Sequence, residues 1–230
     1  MQIVMAETNG NIIGREREEI AQTAKLQNNG TLTEVLENLR RCDFIRTYAA
    51  FGKKSHCQMF QLIDLFSLFH NRFVSHNNSQ DVHFWHNMQD NPVRKTWEGY
   101  AFEQVCMHHI AQIKQKLRIG GTLSEVCSWQ CKAFTDKDGI SHKGTQIDLL
   151  IDRRDQVTDL CEMKFSSDDY AITADYDERL RTRKETFRAV TGTRKTLHNV
   201  LVTTYGLANT KYSACIHNVV TLADLFEIVR

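Results

Sequence analysis

The segment formed by residues 145–165, TQIDLLIDRRDQVTDLCEMKF, consists of two short apolar runs joined by a polar stretch. Runs of this kind predict β-strands, and the DRRDQ between them is short enough for a hairpin. Asp148 lies near the start of the first run. Because strand side chains alternate between faces, Glu162 and Lys164 are expected on one face and Met163 on the other. The hairpin therefore brings two carboxylates and a lysine to one place.

Two carboxylates beside a lysine are suited to phosphodiester chemistry with a divalent cation. Carboxylate oxygens hold Mg²⁺ or Mn²⁺, and an ammonium group steadies the attacking water or the developing charge. An aspartate followed fourteen residues later by Glu-x-Lys resembles the motif of the PD-(D/E)XK nuclease superfamily. A solvated charge pair on an ordinary hairpin is the alternative interpretation, and the two strands alone leave both open.

A predicted helix over residues 96–119 precedes the hairpin, because its apolar residues recur at helical spacing. Glu103 lies about 50° from the centre of the apolar stripe, from the 3.6-residue period. A buried, unpaired carboxylate costs several kcal/mol, so Glu103 is expected beside a cation or a lysine. In the nuclease superfamily a helix often contributes a glutamate to the metal site, which implies that role for Glu103. Pairing with an arginine is the alternative.

The later segments predict a strand over residues 122–134, a charged helix over 176–190 and a buried strand over 199–207. The resulting order is that of a restriction-endonuclease-like αβββαβ core with a mixed central sheet, so the fold class is α/β. The tail adds a short strand and a helix. Arg179 and Arg183 on the charged helix are candidate contacts for a phosphate backbone. A solvated helix face with i,i+4 ion pairs explains them equally well.

The N-terminal third predicts a winged helix-turn-helix. A helix over residues 18–26 is followed by an Asn29-Gly30 turn and by a second helix. The predicted core stripe of that second helix is Leu32, Val35, Leu36 and Leu39. A strand begins near Phe44, residues 48–63 form the wing, and residues 1–7 are what remains of a first helix.

The basic residues of this N-terminal unit are few. Arg40, Arg41, Lys53 and Lys54 are candidate DNA contacts, whereas Glu37 on the same helix would repel phosphates. Protein contact or scaffolding is therefore slightly better supported than sequence-specific DNA binding. Pro92, the only proline, marks a boundary. We predict a winged-helix domain over residues 1–74, a connector over 75–95 and a nuclease-like domain over 96–230.

The strings FGKK, FQLID, GYAFE, QIDLLIDR and LVTTYGL, taken in this order, resemble the C-terminal region of archaeal-type AAA+ ATPases. Those proteins carry a winged helix followed by a PD-(D/E)XK nuclease-like domain. The resemblance implies catalytic roles for Asp148, Glu162 and Lys164, supported by Glu103. The predicted cofactor is Mg²⁺ or Mn²⁺, held by Asp148, Glu162 and the carbonyl of Met163. No G-x-x-x-x-G-K-[ST] motif occurs, so ATP binding is not predicted for this chain.

Composition sets further bounds. A formal net charge of +1 gives no global attraction to nucleic acid or membranes. The absence of a long apolar run predicts a soluble, cytoplasmic protein without a membrane partner, and seven irregularly spaced cysteines predict reduced thiols. The predicted function is Mg²⁺-dependent, nuclease-like action on DNA, with a non-catalytic DNA- or protein-docking module as the alternative. An AAA+ ATPase acting in trans and a homodimer are the predicted protein partners.

Overall fold

The computed structural model describes residues 14–52, 58–75, 81–135, 139 and 141–229. The chain divides into two units, Met1–Gln104 and Val105–Arg230. The predicted first helix over residues 1–7 and the tip of the predicted wing lie outside the described residues. The two units are described separately below.

The first unit contains three strands and four complete helices among the described residues. They are β1 (Arg15–Glu16), α1 (Arg17–Thr23), α2 (Gly30–Arg41), β2 (Ile45–Ala50), β3 (Gln58–Leu62), α3 (Leu65–Phe69) and α4 (Phe84–Asn87). A π-helical turn, His70–Val74, continues α3. The next helix, α5 (Pro92–His108), includes the division between the units.

The strands of the first unit form an antiparallel arrangement in the order β1-β3-β2. The Asn29 side chain caps α2 by accepting a hydrogen bond from the Leu32 backbone N at 3.3 Å. Leu32 and Leu36 are buried one turn apart, as predicted. Val35 is 39% exposed, so its predicted place in the core stripe is wrong. The buried stripe of α2 is narrower than the sequence pattern indicates.

The second unit contains the larger sheet. Its elements are α6 (Ile110–Lys116), β4 (Ser124–Cys131), β5 (Phe134–Thr135), β6 (Ser141–His142), β7 (Thr145–Arg153), β8 (Val157–Lys164), α7 (Ala174–Thr191), β9 (Thr196–Thr203), β10 (Asn218–Thr221) and α8 (Leu222–Leu225). A 3₁₀ turn, Ser213–Cys215, precedes β10. Strands β5 and β6 pair only with each other.

Five strands of this unit form a mixed sheet in the order β4-β7-β8-β9-β10. Strands β4, β7 and β8 pair antiparallel, whereas β9 runs parallel to β8 and β10 runs parallel to β9. Parallel neighbours need a long crossover, and α7 supplies it between β8 and β9. The predicted α/β class with a mixed sheet is confirmed.

The predicted helix over residues 96–119 is two helices, with a different start. It begins at Pro92, the position where a missing N–H and a fixed φ are favourable, and Asn91 accepts a hydrogen bond from the Val93 N at 2.8 Å. Helix α5 ends at His108, and α6 starts after His109. The His109 ring Nδ1 donates to the Val105 carbonyl at 2.7 Å, in place of the helical backbone bond.

Two predicted strands also have different bounds. The strand expected over residues 122–134 covers only β4, and Leu123 lies outside it with an exposed side chain. The strand expected over residues 199–207 is β9, which begins and ends earlier because the chain bends after Thr203.

Fully buried apolar side chains of β7, β8 and β9 fill the core of the second unit. Helix α7 buries Phe187 and Leu180, and Leu180 lies in a cluster with Ile172 and Tyr176. The Phe187 ring meets the Trp129 ring of β4 edge-on, with centroids 5.0 Å apart. These contacts fix the rotation of α7 on the sheet, and with it the polar side chains on the same face of the helix.

Two observations bear on the predicted environment of the chain. None of the helices in the described ranges has both the length and the apolar character that a membrane crossing requires. Six cysteines lie in those ranges, and all of them are free thiols.

Candidate functional site

The predicted acid pair lies at the end of the β7–β8 hairpin opposite its turn. The last paired residues of the two strands are Leu149 and Cys161, and one further step in this register brings Asp148 opposite Glu162. Residues opposite each other on antiparallel strands have Cβ atoms about 4.5–5.5 Å apart. Asp148 is exposed between the fully buried Ile147 and Leu149. The two carboxylates therefore meet on the same face of the sheet.

Glu162 is held by three donors. Lys164 Nζ lies 2.9 Å from Glu162 Oε1, the Tyr176 hydroxyl donates to the same oxygen, and Arg183 Nη1 donates to Oε2. The Glu162 side chain is 11% exposed. Burial alone would raise the pKa of this carboxyl, but the charges of Arg183 and Lys164 and the Tyr176 hydrogen bond outweigh burial and lower it to about 2. Glu162 is therefore an ionised carboxylate with described partners on both of its oxygens.

Helix α7 supplies two of these donors. Thr173 caps the helix by accepting from the Tyr176 N at 3.3 Å, and Gly192 ends it with a left-handed φ of 67°. Tyr176 and Arg183 are seven residues apart, two helical turns, so they lie on one face with the buried Leu180 between them. Arg183 was predicted as a nucleic-acid contact, whereas Tyr176 was not predicted. The spacing of Tyr176, Leu180 and Phe187 is the signal that could have identified it.

Arg183 has unused hydrogen-bonding capacity. Its side chain is only 11% exposed, and Nη1 is engaged by Glu162. Its Nε and Nη2 atoms are buried and have no hydrogen-bond partner within the part of the chain that the structure describes. A buried guanidinium with a single engaged nitrogen is an uncommon arrangement, since buried polar atoms are nearly always paired.

Asp148 differs from Glu162 in its surroundings. Its Oδ1 accepts a hydrogen bond from Gln146 Nε2. Partial desolvation by the surrounding protein raises the pKa of Asp148, the Gln146 hydrogen bond opposes that shift, and the Glu162 charge adds to it. The side chain nevertheless remains accessible to solvent. Asp148 is thus the more exposed of the two carboxylates.

Met163 and Glu103 are the two other residues predicted to contribute to the metal site. Met163 is 4% exposed and lies opposite Val202 of β9, with its side chain in the core. Its carbonyl as a metal ligand stays a prediction. Glu103 is half-buried on α5 in the first unit, and its participation in the site also stays a prediction.

The two predicted nucleic-acid contacts on α2, Arg40 and Arg41, form ion pairs with Glu37. Arg40 Nη2 and Arg41 Nε lie 2.7 and 2.9 Å from the Glu37 carboxylate. Exposed pairs of this kind contribute little to stability, and the roles of Arg40 and Arg41 as nucleic-acid contacts stay predictions. Lys53 and Lys54 lie outside the described residues.

Arg179 is the remaining predicted nucleic-acid contact. It lies on α7, and its guanidinium carbon is 5.2 Å from the centroid of the Tyr176 ring. Arg179 is exposed, so the Tyr176 ring orients the Arg179 guanidinium near Glu162 without burying it.

A divalent cation is compatible with this donor set in ligand type, under two conditions. Mg²⁺ and Mn²⁺ prefer oxygen ligands, and Asp148 and Glu162 supply carboxylates from adjacent strands. Across the described residues no cluster of three or more His, Cys, Asp or Glu side chains could hold a metal. Main-chain oxygens and water would have to complete the coordination, and Glu162 would have to release one of its present partners.

Comparison with known proteins adds no assignment: neither a family model, nor a curated protein, nor a solved structure matches this chain. The resemblance to AAA+ ATPases therefore stays a prediction from sequence.

Proposed function

We propose that this chain is a nuclease-like protein that acts on DNA phosphodiesters with the help of a divalent cation. The observation that carries the proposal is the position of Asp148 opposite Glu162, with Lys164 two residues further along the same strand face. A cation bound to these carboxylates would stabilise charge on the phosphate and lower the pKa of bound water. Lys164, whose ammonium lies 2.9 Å from Glu162, would orient the attacking water.

The fold supports the same proposal. In the second unit, a mixed sheet whose parallel strands are connected by α7 agrees with a restriction-endonuclease-like core. In the first unit, two helices joined by the short segment 24–29 and the strand order β1-β3-β2 agree with a winged helix. On this proposal the chain corresponds to the C-terminal region of an archaeal-type AAA+ ATPase. Its partners would then be DNA and an ATPase module.

A second candidate function is a non-catalytic docking module. One observation favours it: Arg183, Lys164 and Tyr176 already satisfy the Glu162 carboxylate without a metal. A site neutralised in this way can be purely structural. The two candidates differ in whether Asp148 and Glu162 bind a divalent cation.

The test is a calorimetric titration of the full chain with Mg²⁺ and Mn²⁺, comparing wild type with Asp148→Ala. Glu125→Ala, an exposed acid on the adjacent β4, is the matched control. The nuclease proposal expects binding by wild type and the control and loss of binding in Asp148→Ala. A folded wild type that binds neither ion would overturn it in favour of docking.

Cleavage is measured separately with labelled single-stranded and duplex DNA. Lys164→Ala is expected to lose cleavage while it keeps the metal, since the group that orients water is removed and both carboxylates remain. Metal binding without cleavage of either DNA would restrict the proposal to a metal-binding docking module.

A further inference from the structure

Arg183 combines two features that a purely structural ion pair does not require. It neutralises Glu162 through Nη1, yet its Nε and Nη2 are buried and lack hydrogen-bond partners within the described ranges. A buried donor left unpaired has lost its hydrogen bonds to water without gaining replacements in the protein. The present position of Arg183 is therefore favourable for its charge and unfavourable for most of its N–H groups.

The Glu162 carboxylate is also the group that a divalent cation would need. Arg183 engages Oε2, while Lys164 and Tyr176 engage Oε1, so three of the carboxylate's roughly four acceptor positions are occupied. A divalent cation beside the Arg183 guanidinium would be repelled in an environment of reduced dielectric. Metal and Arg183 therefore compete for Glu162.

A phosphate group would satisfy Arg183 better than Glu162 does. The guanidinium is a planar fork of N–H donors that matches two oxygens of a phosphate at once. In its present geometry only one nitrogen of that fork is used. If a phosphate drew Arg183 away, Glu162 would be left with an oxygen for the cation.

We propose that Arg183 is an internal competitor of the divalent cation at Glu162, and that a phosphate of the nucleic acid displaces it, so that metal and nucleic acid bind cooperatively. This inference rests on the proposed function and concerns regulation of the same site. Metal alone binds weakly because Arg183 must first leave Glu162. Nucleic acid alone binds weakly because Arg183 must abandon its counter-charge. Linkage requires each ligand to raise the affinity for the other by the same factor.

The first arm of the test measures Mn²⁺ affinity by calorimetry in wild type, Arg183→Met and Arg181→Met. Arg181 is an exposed arginine of the same helix that pairs with Asp177, so it is the matched control. Removal of the competitor is expected to tighten Mn²⁺ binding by about tenfold or more, within the usual range of coupling between sites. The control is expected to bind as wild type does.

The second arm measures binding of a fluorescein-labelled single-stranded DNA oligonucleotide by anisotropy, with and without Ca²⁺. Calcium serves as an oxygen-binding divalent probe that keeps the titration at equilibrium. Wild type and Arg181→Met are expected to bind the oligonucleotide several-fold more tightly with Ca²⁺. Arg183→Met is expected to lose this dependence. Arg183→Lys keeps the positive charge but lacks the planar fork of N–H donors. It should therefore retain weak metal binding but lose the cooperativity. This variant serves as the test if Arg183→Met does not fold.

The outcomes separate this inference from the proposed function. If Mn²⁺ binds in an Asp148-dependent manner but no more tightly to Arg183→Met than to wild type, Arg183 is not a competitor and the metal site stands. If calcium leaves the affinity of wild type for the oligonucleotide unchanged, the cooperativity is refuted. If folded wild type binds no Mn²⁺, the proposed function itself fails.

Discussion

The opposite environments of Asp148 and Glu162 predict opposite effects of removing their charges. Glu162→Gln keeps the size of the side chain but leaves Arg183, 11% exposed, with less compensating charge. The pKa of Glu162 is lowered from 4.5 to about 2 in the folded protein. At about 1.36 kcal/mol per pKa unit, folding therefore stabilises the ionised form over the protonated form by roughly 3 kcal/mol. We therefore expect Glu162→Gln to lower the free energy of unfolding at pH 7 by about 3 kcal/mol, near the cost of breaking a buried ion pair.

Asp148→Asn is expected to do the reverse. A pKa raised in the folded state means that folding favours the protonated carboxyl, so the ionised form destabilises the protein above that pKa. The amide removes the charge and can still accept the hydrogen bond from Gln146. At neutral pH the variant should be at least as stable as wild type. Glu185→Gln, an exposed acid on α7, is the control and should change stability by less than about 0.5 kcal/mol.

Urea unfolding followed by ¹⁹F NMR of the 5-fluorotryptophan-labelled chain isolates the relevant unit. The chain has three tryptophans, and Trp129 is the one in the second unit, buried against Phe187. Trp129→Phe assigns its resonance, and that resonance then reports the unit that contains the site. Equal unfolding midpoints for Glu162→Gln and wild type, or a comparable loss in Asp148→Asn, would refute the electrostatic argument.

Three further predictions follow from the same structure. The Glu162 contribution is fully present above pH 4.5 and is lost as the pH falls toward about 2, so acid unfolding monitored by circular dichroism should be shallower in Glu162→Gln. Thr173→Ala removes the cap of α7 and should cost about 1 kcal/mol in urea unfolding, with Thr173→Ser as the variant that restores it. Leu36→Ala on α2 should cost about 2–5 kcal/mol by the same measurement, whereas Val35→Ala should cost under about 1 kcal/mol. Equal losses at these two positions would contradict the observed burial.

The sequence predicts the parts of the site that depend on local periodicity. Alternation along a strand is enough to place Glu162 and Lys164 on one face, and the short polar turn is enough to pair their strand with that of Asp148. The partners of Glu162 are not local, because they depend on how α7 is rotated over the sheet. A basic helix can face solvent phosphate or a buried acid, and its composition is the same in both cases. The burial of Phe187 against Trp129 and of Leu180 in the cluster with Ile172 decides the rotation, so Arg183 could be identified as basic but not as paired.

The helix boundaries likewise include one that a local sequence signal predicts and one that depends on a side-chain contact. Pro92 is a strong local signal, and only its role changed, from a residue outside the helix to its first residue. The interruption at His109 has no proline or glycine to announce it. It depends on the His109 ring nitrogen, which donates to the Val105 carbonyl in place of a backbone N–H. Residue type alone does not determine which of these two donors is used.

The placement of Tyr176, Arg183 and Phe187 on one face of α7 limits how the length of this chain can vary. Each residue of an α-helix advances the side chains by about 100°. A single insertion or deletion between Tyr176 and Arg183 would turn Arg183 away from Glu162 and move Phe187 out of its contact with Trp129 at the same time. Length changes should therefore be tolerated in the loops on either side of α7 and selected against within it. Spacing, more than residue identity, would then be the property of this helix that related sequences preserve.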